Sequence, residues 1–244
     1  MLSDNIEYEL IKERRRSISI QITEDAIVRV KAPKSVPDRV VREFILSKED
    51  WIRKKLREAE LKIILRKRSY LDQSKITILG KEYTIDLFDA EAAGRKNEKA
   101  LIEGDRIELY LNDLSEEHVK DKIIDLAKSM LKEYTKNRID HYLPLISRAA
   151  KELNIDDKGL YYTGLSFKLV KSRWGSCSSK KHLNFNIKLA LAPLPILDYV
   201  IVHEMCHLIY LDHSQGFWKM VGSVYPDWKN ARKHLNDSGW QYEF

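Results

Sequence analysis

The feature that most constrains this chain is an apolar segment from Ile196 to Ile209 that carries two histidines and a glutamate. Its length, and the prolines that precede it, predict a buried helix. His203 and His207 are four residues apart, so their rings lie one above the other on the same helix face. Imidazoles and a carboxylate inside a buried helix are unfavourable unless they have partners. A metal ion bound by both rings would be such a partner, and Glu204 would stand beside it.

A third ligand is needed to complete such a site, and the spacing limits where it can come from. If the helix continued, His213 would lie about 15 Å further along the axis than His203, on a different face. His213 can therefore reach the metal only if the helix ends after about Ile209 and the chain folds back. No glycine is present at the turn to ease that reversal. We expect His213 to be the third ligand because neutral imidazole suits zinc, and Asp227 remains the alternative.

The number of protein ligands indicates the chemistry. Three ligands leave the fourth position of one zinc ion to a water molecule, whose pKa falls toward neutrality. Glu204 would act as the general base and later deliver the proton to the leaving group. Cys206 could close the site as a fourth ligand, but it points roughly 100° away from His207 on the helix and is predicted as a small buried side chain. The pattern therefore predicts metal-assisted hydrolysis at an open zinc site.

The composition is typical of a globular protein with an ample core. The chain has 244 residues, of which 43% are hydrophobic and 33% are charged. Asp4, Glu7 and Glu9 interrupt the first ten residues, so no secretory signal is expected, and no apolar stretch is long enough to cross a membrane. The two cysteines, Cys177 and Cys206, form no disulfide framework. We therefore expect a cytoplasmic location and no membrane partner.

The positive charge is concentrated in the first quarter of the chain. Residues 1–68 hold 18 Lys and Arg against 12 Asp and Glu, so they carry the whole net charge of +6. The excess comes from Arg14 to Arg16 and from the run between Arg53 and Arg68. One interpretation is a surface that binds DNA, a DNA-bound protein or another acidic partner. The plainer interpretation is a solvated helix face beside a charged strand edge.

The alternation of apolar and polar residues predicts an α+β chain in two parts. The first part, residues 1–114, contains strand-like segments and one basic helix. Residues 89–100 within it are polar and are predicted to form an exposed loop. The second part, residues 115–244, begins with a helix capped by Ser115, which Pro144 should kink or restart.

A strand is predicted from Leu183 to Leu191, and it bears on how a substrate could bind. Zinc peptidases can hold an extended peptide along a free strand edge, and this strand is our candidate for that edge. The alternation is equally compatible with an interior strand that is paired on both sides. The preceding loop, Arg173 to Cys177, is favoured as a structural loop over a substrate contact. The aromatic residues Phe217, Trp218 and Trp228 are predicted to belong to the core.

Further motifs accompany the histidine pair, including a His-Glu-x-Cys-His core followed by His-Ser-x-x-Phe-Trp. They lie in Lys171–Ser178, Leu183–Asn186, Asp198–His207, His213–Trp218 and Tyr225–Trp228. In these motifs the chain resembles the YgjP-like predicted metal-dependent hydrolases, which are related to the SprT and WLM metalloproteases, and the resemblance runs over most of the chain. It implies a zincin-like catalytic domain with a ligand helix, a backing helix and a small sheet. It also implies that His203, His207 and His213 bind zinc and that Glu204 is catalytic.

Together these observations predict a zinc-dependent metallopeptidase that hydrolyses peptide bonds in a peptide or protein substrate. One alternative is a metal-dependent hydrolase of a non-peptide amide or ester. Another is a DNA-associated module whose metal site is vestigial and whose basic N-terminal region does the binding; the resemblance implies a possible DNA connection, because relatives of the family cleave DNA-bound proteins. Glu204 argues against a vestigial site, since a site kept only for structure has no use for a base.

Overall fold

The computed structural model describes residues 6–66 and 69–244. The chain divides into two compact units, Met1–Arg68 and Ser69–Phe244. The described residues form six α-helices and three small sheets, which confirms the predicted α+β class. The sequence predicted a division between residues 114 and 115, whereas the structure groups the strands before residue 114 with the histidine-bearing part. The reason is that these strands share one hydrophobic core with the helices that follow them.

The first unit is a three-stranded sheet with two helices. The strand order is β1-β3-β2, with β1 parallel and β2 antiparallel to the central strand β3. Alternating residues of β3, such as Val28 and Val30, enter a small core with Val41, Ile45 and Ile52 of the helices. The elements are β1 (Glu9–Glu13), β2 (Ser19–Ile22), β3 (Val28–Pro33), α1 (Asp38–Leu46) and α2 (Glu49–Arg66).

The second unit begins with a four-stranded sheet and one long helix. The strand order is β4-β5-β7-β6, and the inward-facing side chains, such as Ile85 and Leu109, are fully buried in the main core. The residues between β5 and β6 form turns, as predicted for the polar segment. The elements are β4 (Lys75–Ile78), β5 (Lys81–Asp89), β6 (Lys99–Glu103), β7 (Arg106–Leu111) and α3 (Glu116–Glu152).

Helix α3 starts where the sequence predicted, with Ser115 at its N-cap. The hydroxyl of Ser115 accepts no capping hydrogen bond from the helix, and it donates to the carboxylate of Asp113 at 2.9 Å. The prediction that Pro144 restarts the helix is wrong, since α3 is one helix through this position. Loss of one amide donor is outweighed here by apolar burial on both sides of the proline, where Ile139 and Ile146 are fully buried.

The remaining elements build the part of the unit that carries the histidines. They are β8 (Gly164–Lys168), β9 (Gly175–Cys177), β10 (His182–Asn186), a 3-10 helix (Ile187–Leu191), α4 (Leu194–Cys206), α5 (Gln215–Val224), α6 (Trp228–Ser238) and a 3-10 turn (Gly239–Gln241). The three strands form a second sheet in the order β8-β10-β9.

The prediction that Leu183–Leu191 offers a free edge is wrong. Strand β10 is the central strand, parallel to β8 on one side and antiparallel to β9 on the other. The strand also ends at Asn186, whose side chain accepts a hydrogen bond from the backbone N–H of Lys188 at 3.1 Å and so starts the 3-10 helix. The edge next to the histidine helix belongs to β9 instead.

A partly buried ion pair fixes α4 against α3. Nε and Nη2 of Arg138 donate to the two carboxylate oxygens of Asp198 at 2.8 and 2.7 Å, and the hydroxyls of Tyr134 and Tyr142 donate to the same carboxylate. These contacts raise the pKa of Arg138 above its ordinary value. Although α4 is strongly apolar, no helix in the described parts of the chain combines the length and hydropathy that a membrane span requires.

We expect Asp198→Asn to lower the free energy of unfolding by about 2 to 3 kcal/mol, because it leaves Arg138 without a carboxylate inside the helix interface. The measurement is urea unfolding followed by circular dichroism. The control is Glu152→Gln, which breaks the exposed pair between Arg148 and Glu152 on the same helix and should cost less than about 0.5 kcal/mol. Equal losses in the two variants would contradict a special role for the Asp198 pair.

Candidate metal centre

The turn after α4 provides the chain reversal that the histidine spacing requires. Helix α4 ends at Cys206, whose carbonyl accepts from the backbone N–H of Tyr210 at 3.0 Å, and α5 begins only eight residues beyond His207. No described residue between 207 and 213 has a positive φ, so the turn uses backbone conformations that any residue adopts. This is why the reversal needs no glycine.

The reversal brings three imidazole rings together. Nε2 of His213 lies 3.0 Å from Nε2 of His203 and 3.2 Å from Nε2 of His207. A tetrahedral zinc ion with bonds of about 2.0 to 2.1 Å would separate two ligand nitrogens by roughly 3.4 Å. The three nitrogens could therefore hold one metal ion. Asp227, the alternative third ligand, does not belong to this cluster; its carboxylate accepts from the side chain of Asn230.

The protonation state of the rings also fits a metal site. Nδ1 of His207 lies 2.8 Å from the carbonyl oxygen of Tyr210, which can only accept, so Nδ1 carries the proton and Nε2 keeps its lone pair. Burial, together with the two neighbouring rings, lowers the pKa of His203 to about 3. Burial also lowers the pKa of His207. Both rings are therefore neutral near pH 7, as metal binding requires.

Aromatic side chains surround the imidazoles. Phe217 is fully buried and stacks on His207 with a centroid distance of 4.4 Å. Trp218 stacks on His213 at 5.5 Å and on Trp228 at 4.4 Å. The three aromatic residues lie in or against the main core, as predicted. The sequence did not indicate that they would also hold the rings of the histidines in place.

Glu204 lines a cleft of about 200 Å³, together with His203, Tyr199 and Arg232. The side chain of Glu204 lies against the backbone of Gly175. A Cβ atom placed on Gly175 would be only 2.5 Å from Oε1 of Glu204. Burial raises the pKa of Glu204 to about 8, and the guanidinium of Arg173 partly opposes this shift. Helix α4 thus places the buried carboxyl group of Glu204 at the same cleft as His203.

The sequence indicated no site role for two residues at this cleft. It predicted a loop from Arg173 to Cys177, and this is wrong for Gly175–Cys177, which form strand β9 because they pair with β10. Gly175 belongs to a strand of three residues, which is too short to produce a recognisable alternation. Arg232 on α6 packs over the ring of Trp218, 4.8 Å from its centroid, and a single arginine on an amphipathic helix carries no motif. The cysteines do not join the metal cluster among the described residues. Cys206 is fully buried, as predicted, and burial raises the pKa of Cys177 to about 11.

Glu204 should make the metal-free protein less stable as the pH rises. Its folded pKa of about 8 lies above the ordinary value of 4.5, so the stability linked to its proton is complete below about pH 4.5 and is lost as the pH passes through 8. Glu204→Gln has no proton to lose. In the presence of a chelator we compare the free energy of unfolding of this variant with that of the wild type. We expect the difference to shift in favour of the variant, on the order of a few kcal/mol, when the pH is raised from about 5 to about 9.

Thermal unfolding at the two pH values measures this gain. The lowered pKa values of His203 and His207 are common to both proteins, so the comparison isolates the effect of Glu204. Glu133→Gln, which removes an exposed carboxyl from α3, is the matched control and should show no such gain. A difference between Glu204→Gln and wild type that is the same at both pH values would show that Glu204 is not protonated in the folded state.

The match to known proteins agrees with this geometry. The model of the YgjP-like metallopeptidase domain matches residues 16–238, a range that includes the three histidines and Glu204. A comparison with curated proteins finds no match. The family resemblance that the motifs carry is thereby confirmed. The chain belongs to the YgjP-like metallopeptidase family.

Proposed function

We propose that the protein is a zinc-dependent peptidase in which Glu204 is the general base. The observation that carries this proposal is the convergence of three Nε2 atoms, two of them 3.0 and 3.2 Å from that of His213, beside a cleft that Glu204 shares with His203. The family supports a metal-dependent peptidase. We favour zinc, bound as a single ion, because three imidazole nitrogens with an open fourth position are typical of catalytic zinc sites.

When bound, zinc supplies a Lewis acid for the substrate carbonyl and lowers the pKa of a water molecule at the site. Glu204 takes the proton of that attacking water and then donates it to the departing amine. A nearby divalent cation favours the ionised carboxylate, so the raised pKa of the metal-free site falls when the metal is present. Glu204 is then a base at neutral pH, and its restricted position against Gly175 keeps it directed into the cleft.

The free edge of β9 supports a peptide as the substrate. The carbonyl of Trp174 accepts a hydrogen bond from the N–H of Asn186 at 2.8 Å, and the N–H of Ser178 donates to the carbonyl of His182 at 3.0 Å, so both groups point toward β10. By the alternation of antiparallel pairing, the N–H and C=O groups of Gly175 and Cys177 point the other way. Within the described chain no strand pairs with that edge. An extended peptide could add to it by main-chain hydrogen bonds, directly beside Glu204. A small amide or ester would leave these groups unused.

The test is Glu204→Gln, which keeps the shape of the side chain and removes the base. We expect the purified variant to retain about one zinc ion per chain while peptide cleavage falls by a factor on the order of a hundred or more. Zinc is measured by elemental analysis, and cleavage by mass spectrometry of a digested peptide library.

Two further variants complete this experiment. His213→Ala should lose zinc as well as activity, whereas Glu133→Gln on α3 should change neither. A wild-type protein that carries one zinc ion but cleaves no peptide, with or without DNA, would contradict the proposal. So would a Glu204→Gln variant that cleaves at the wild-type rate.

We also propose, as a separate matter, that the basic first unit binds DNA or a DNA-bound protein. Much of its charge is paired internally, for example Arg29 with Glu9 and Arg53 with Glu49. Arg14 and Arg16, by contrast, are exposed and meet no carboxylate among the described residues. These two arginines belong to the predicted basic surface and remain available to a partner. Residues 67 and 68 of the basic run lie outside the described residues.

The double variant Arg14→Glu/Arg16→Glu tests this partner. If the arginines contact phosphates, fluorescence anisotropy should show weaker binding to duplex DNA, with the slope of log K against log salt reduced by about 2. Lys128→Glu/Lys132→Glu on α3 makes the same change in net charge and should leave binding intact. If the wild type and the arginine variant bind DNA equally, the proposal is contradicted and the basic region is a solvated surface without a DNA-binding role.

A further inference from the structure

A second cavity, of about 370 Å³, lies on the outer face of the sheet β8-β10-β9. The inner face of this sheet contributes Phe167, Leu183 and Phe185 to the main core. The outer face carries the alternate residues, including Ser176 on β9 and Asn184 on β10, and these are polar. The cavity therefore combines these polar groups with apolar side chains, namely Val170, Trp174 and Phe185, and none of its lining residues belongs to the metal cluster.

The charge in this cavity has one sign. Its two charged lining residues are Lys168 at the end of β8 and Arg173 in the loop before β9, and both are exposed. Among the residues that the structure describes, no carboxylate lies within ion-pair distance of either. The hydroxyls of Ser176 and Ser178 and the amide of Asn184 add neutral hydrogen-bonding groups, and Asn184 donates to Ser176 Oγ at 3.2 Å. A group that fills this cavity would meet donors and two cations.

The loop that carries Arg173 is held in place by one buried side chain. Nδ2 of Asn186 donates to the carbonyl oxygens of Val170 and Arg173 at 2.8 and 2.9 Å, and only 3% of Asn186 is exposed. Its remaining oxygen accepts from the backbone of Lys188. The loop is thus fixed to the end of β10, and the backbone of Arg173 has a defined position at the rim of the cavity.

The cavity adjoins the cleft that contains Glu204. Trp174 and Gly175 line both spaces, and the charge of Arg173 partly opposes the burial that raises the pKa of Glu204. A peptide strand along the edge of β9 would direct alternate side chains to opposite faces of the sheet. Side chains on the face of Gly175 would point toward α4, and those on the face of Ser176 would point into the outer cavity.

We propose that this cavity is a specificity subsite that accepts an acidic side chain of the peptide substrate. The inference rests on the proposed peptidase function. It assigns to Lys168 and Arg173 the recognition of an aspartate or glutamate carboxylate within about three residues of the bond that is cleaved. Complementary charge in a lined cavity next to the reacting groups selects among substrates more than it adds affinity. A backbone phosphate of a nucleic acid is the competing ligand, and the position beside the edge of β9 favours the peptide.

The first experiment profiles cleavage by the zinc-loaded wild type in a peptide library. We expect aspartate or glutamate to be enriched at one position near the cleaved bond. Replacement of that residue by Asn or Gln in a matched peptide should lower kcat/KM on the order of tenfold, as for partly exposed charge pairs with two cations. Lys168→Glu places a carboxylate beside the remaining cation, Arg173, and should abolish the acidic preference at that same position. Lys128→Glu, with an equal change in net charge on α3, should keep the acidic preference.

Cleavage without any acidic preference, or a preference that Lys168→Glu leaves unchanged, would overturn the subsite and leave the peptidase function standing. If the wild type cleaves nothing, binding separates the two proposals. Fluorescence anisotropy with the Glu204→Gln protein then compares an Asp-containing peptide with its Asn counterpart. The subsite is supported if the Asp peptide binds more tightly than the Asn peptide and if adding Lys168→Glu abolishes this difference. Equal binding of the two peptides would overturn it. Displacement by a short oligonucleotide, without discrimination between the peptides, would assign the cavity to phosphate instead and overturn the proposal.

Discussion

The burial of helix α4 is the constraint on which the site depends. Because α4 packs against α3, α5, α6 and β9, each polar group that it carries must face a partner or a cleft. Asp198 faces Arg138, the histidine rings face one another, and Glu204 faces the cleft beside Gly175. The same exclusion of water keeps His203 neutral and makes an ionised Glu204 unfavourable without a nearby cation. One packing arrangement therefore sets the protonation state of His203 and of Glu204 together.

The parts of the site that the sequence predicted are those set by local geometry. The spacing of His203 and His207 follows from the helical repeat, and the helix itself follows from its apolar run and the prolines before it. The distance to His213 predicted a reversal of the chain, and the structure contains it. The choice between His213 and Asp227 could not be made from spacing alone, because it depends on where α5 and α6 pack.

The parts that the sequence did not predict depend on pairing and tertiary contact. An alternating pattern cannot distinguish an edge strand from a central one, so β10 was assigned the edge that belongs to β9. Strand β9 is only three residues long, and its neighbours decide its role. Asn186 appears in sequence as one more polar residue of a strand, yet it is buried and ties a loop to the sheet. Pro144 is a second case in which tertiary contact decides the outcome. Proline disfavours the interior of a helix, but the burial of apolar side chains along α3 outweighs that preference.

Gly175 and Glu204 share one volume, and this links two positions that lie far apart in the sequence. Any side chain at position 175 would occupy the space of the carboxyl group, so the two positions cannot vary independently. A single methyl group added at Gly175 would displace the carboxyl group of Glu204, whereas no imidazole atom is among its nearest neighbours. Under the proposed mechanism, metal affinity and turnover are therefore separable at a residue whose own side chain would bind neither metal nor substrate. A related chain with a larger residue at this position would then keep the three histidines without the reaction proposed for them.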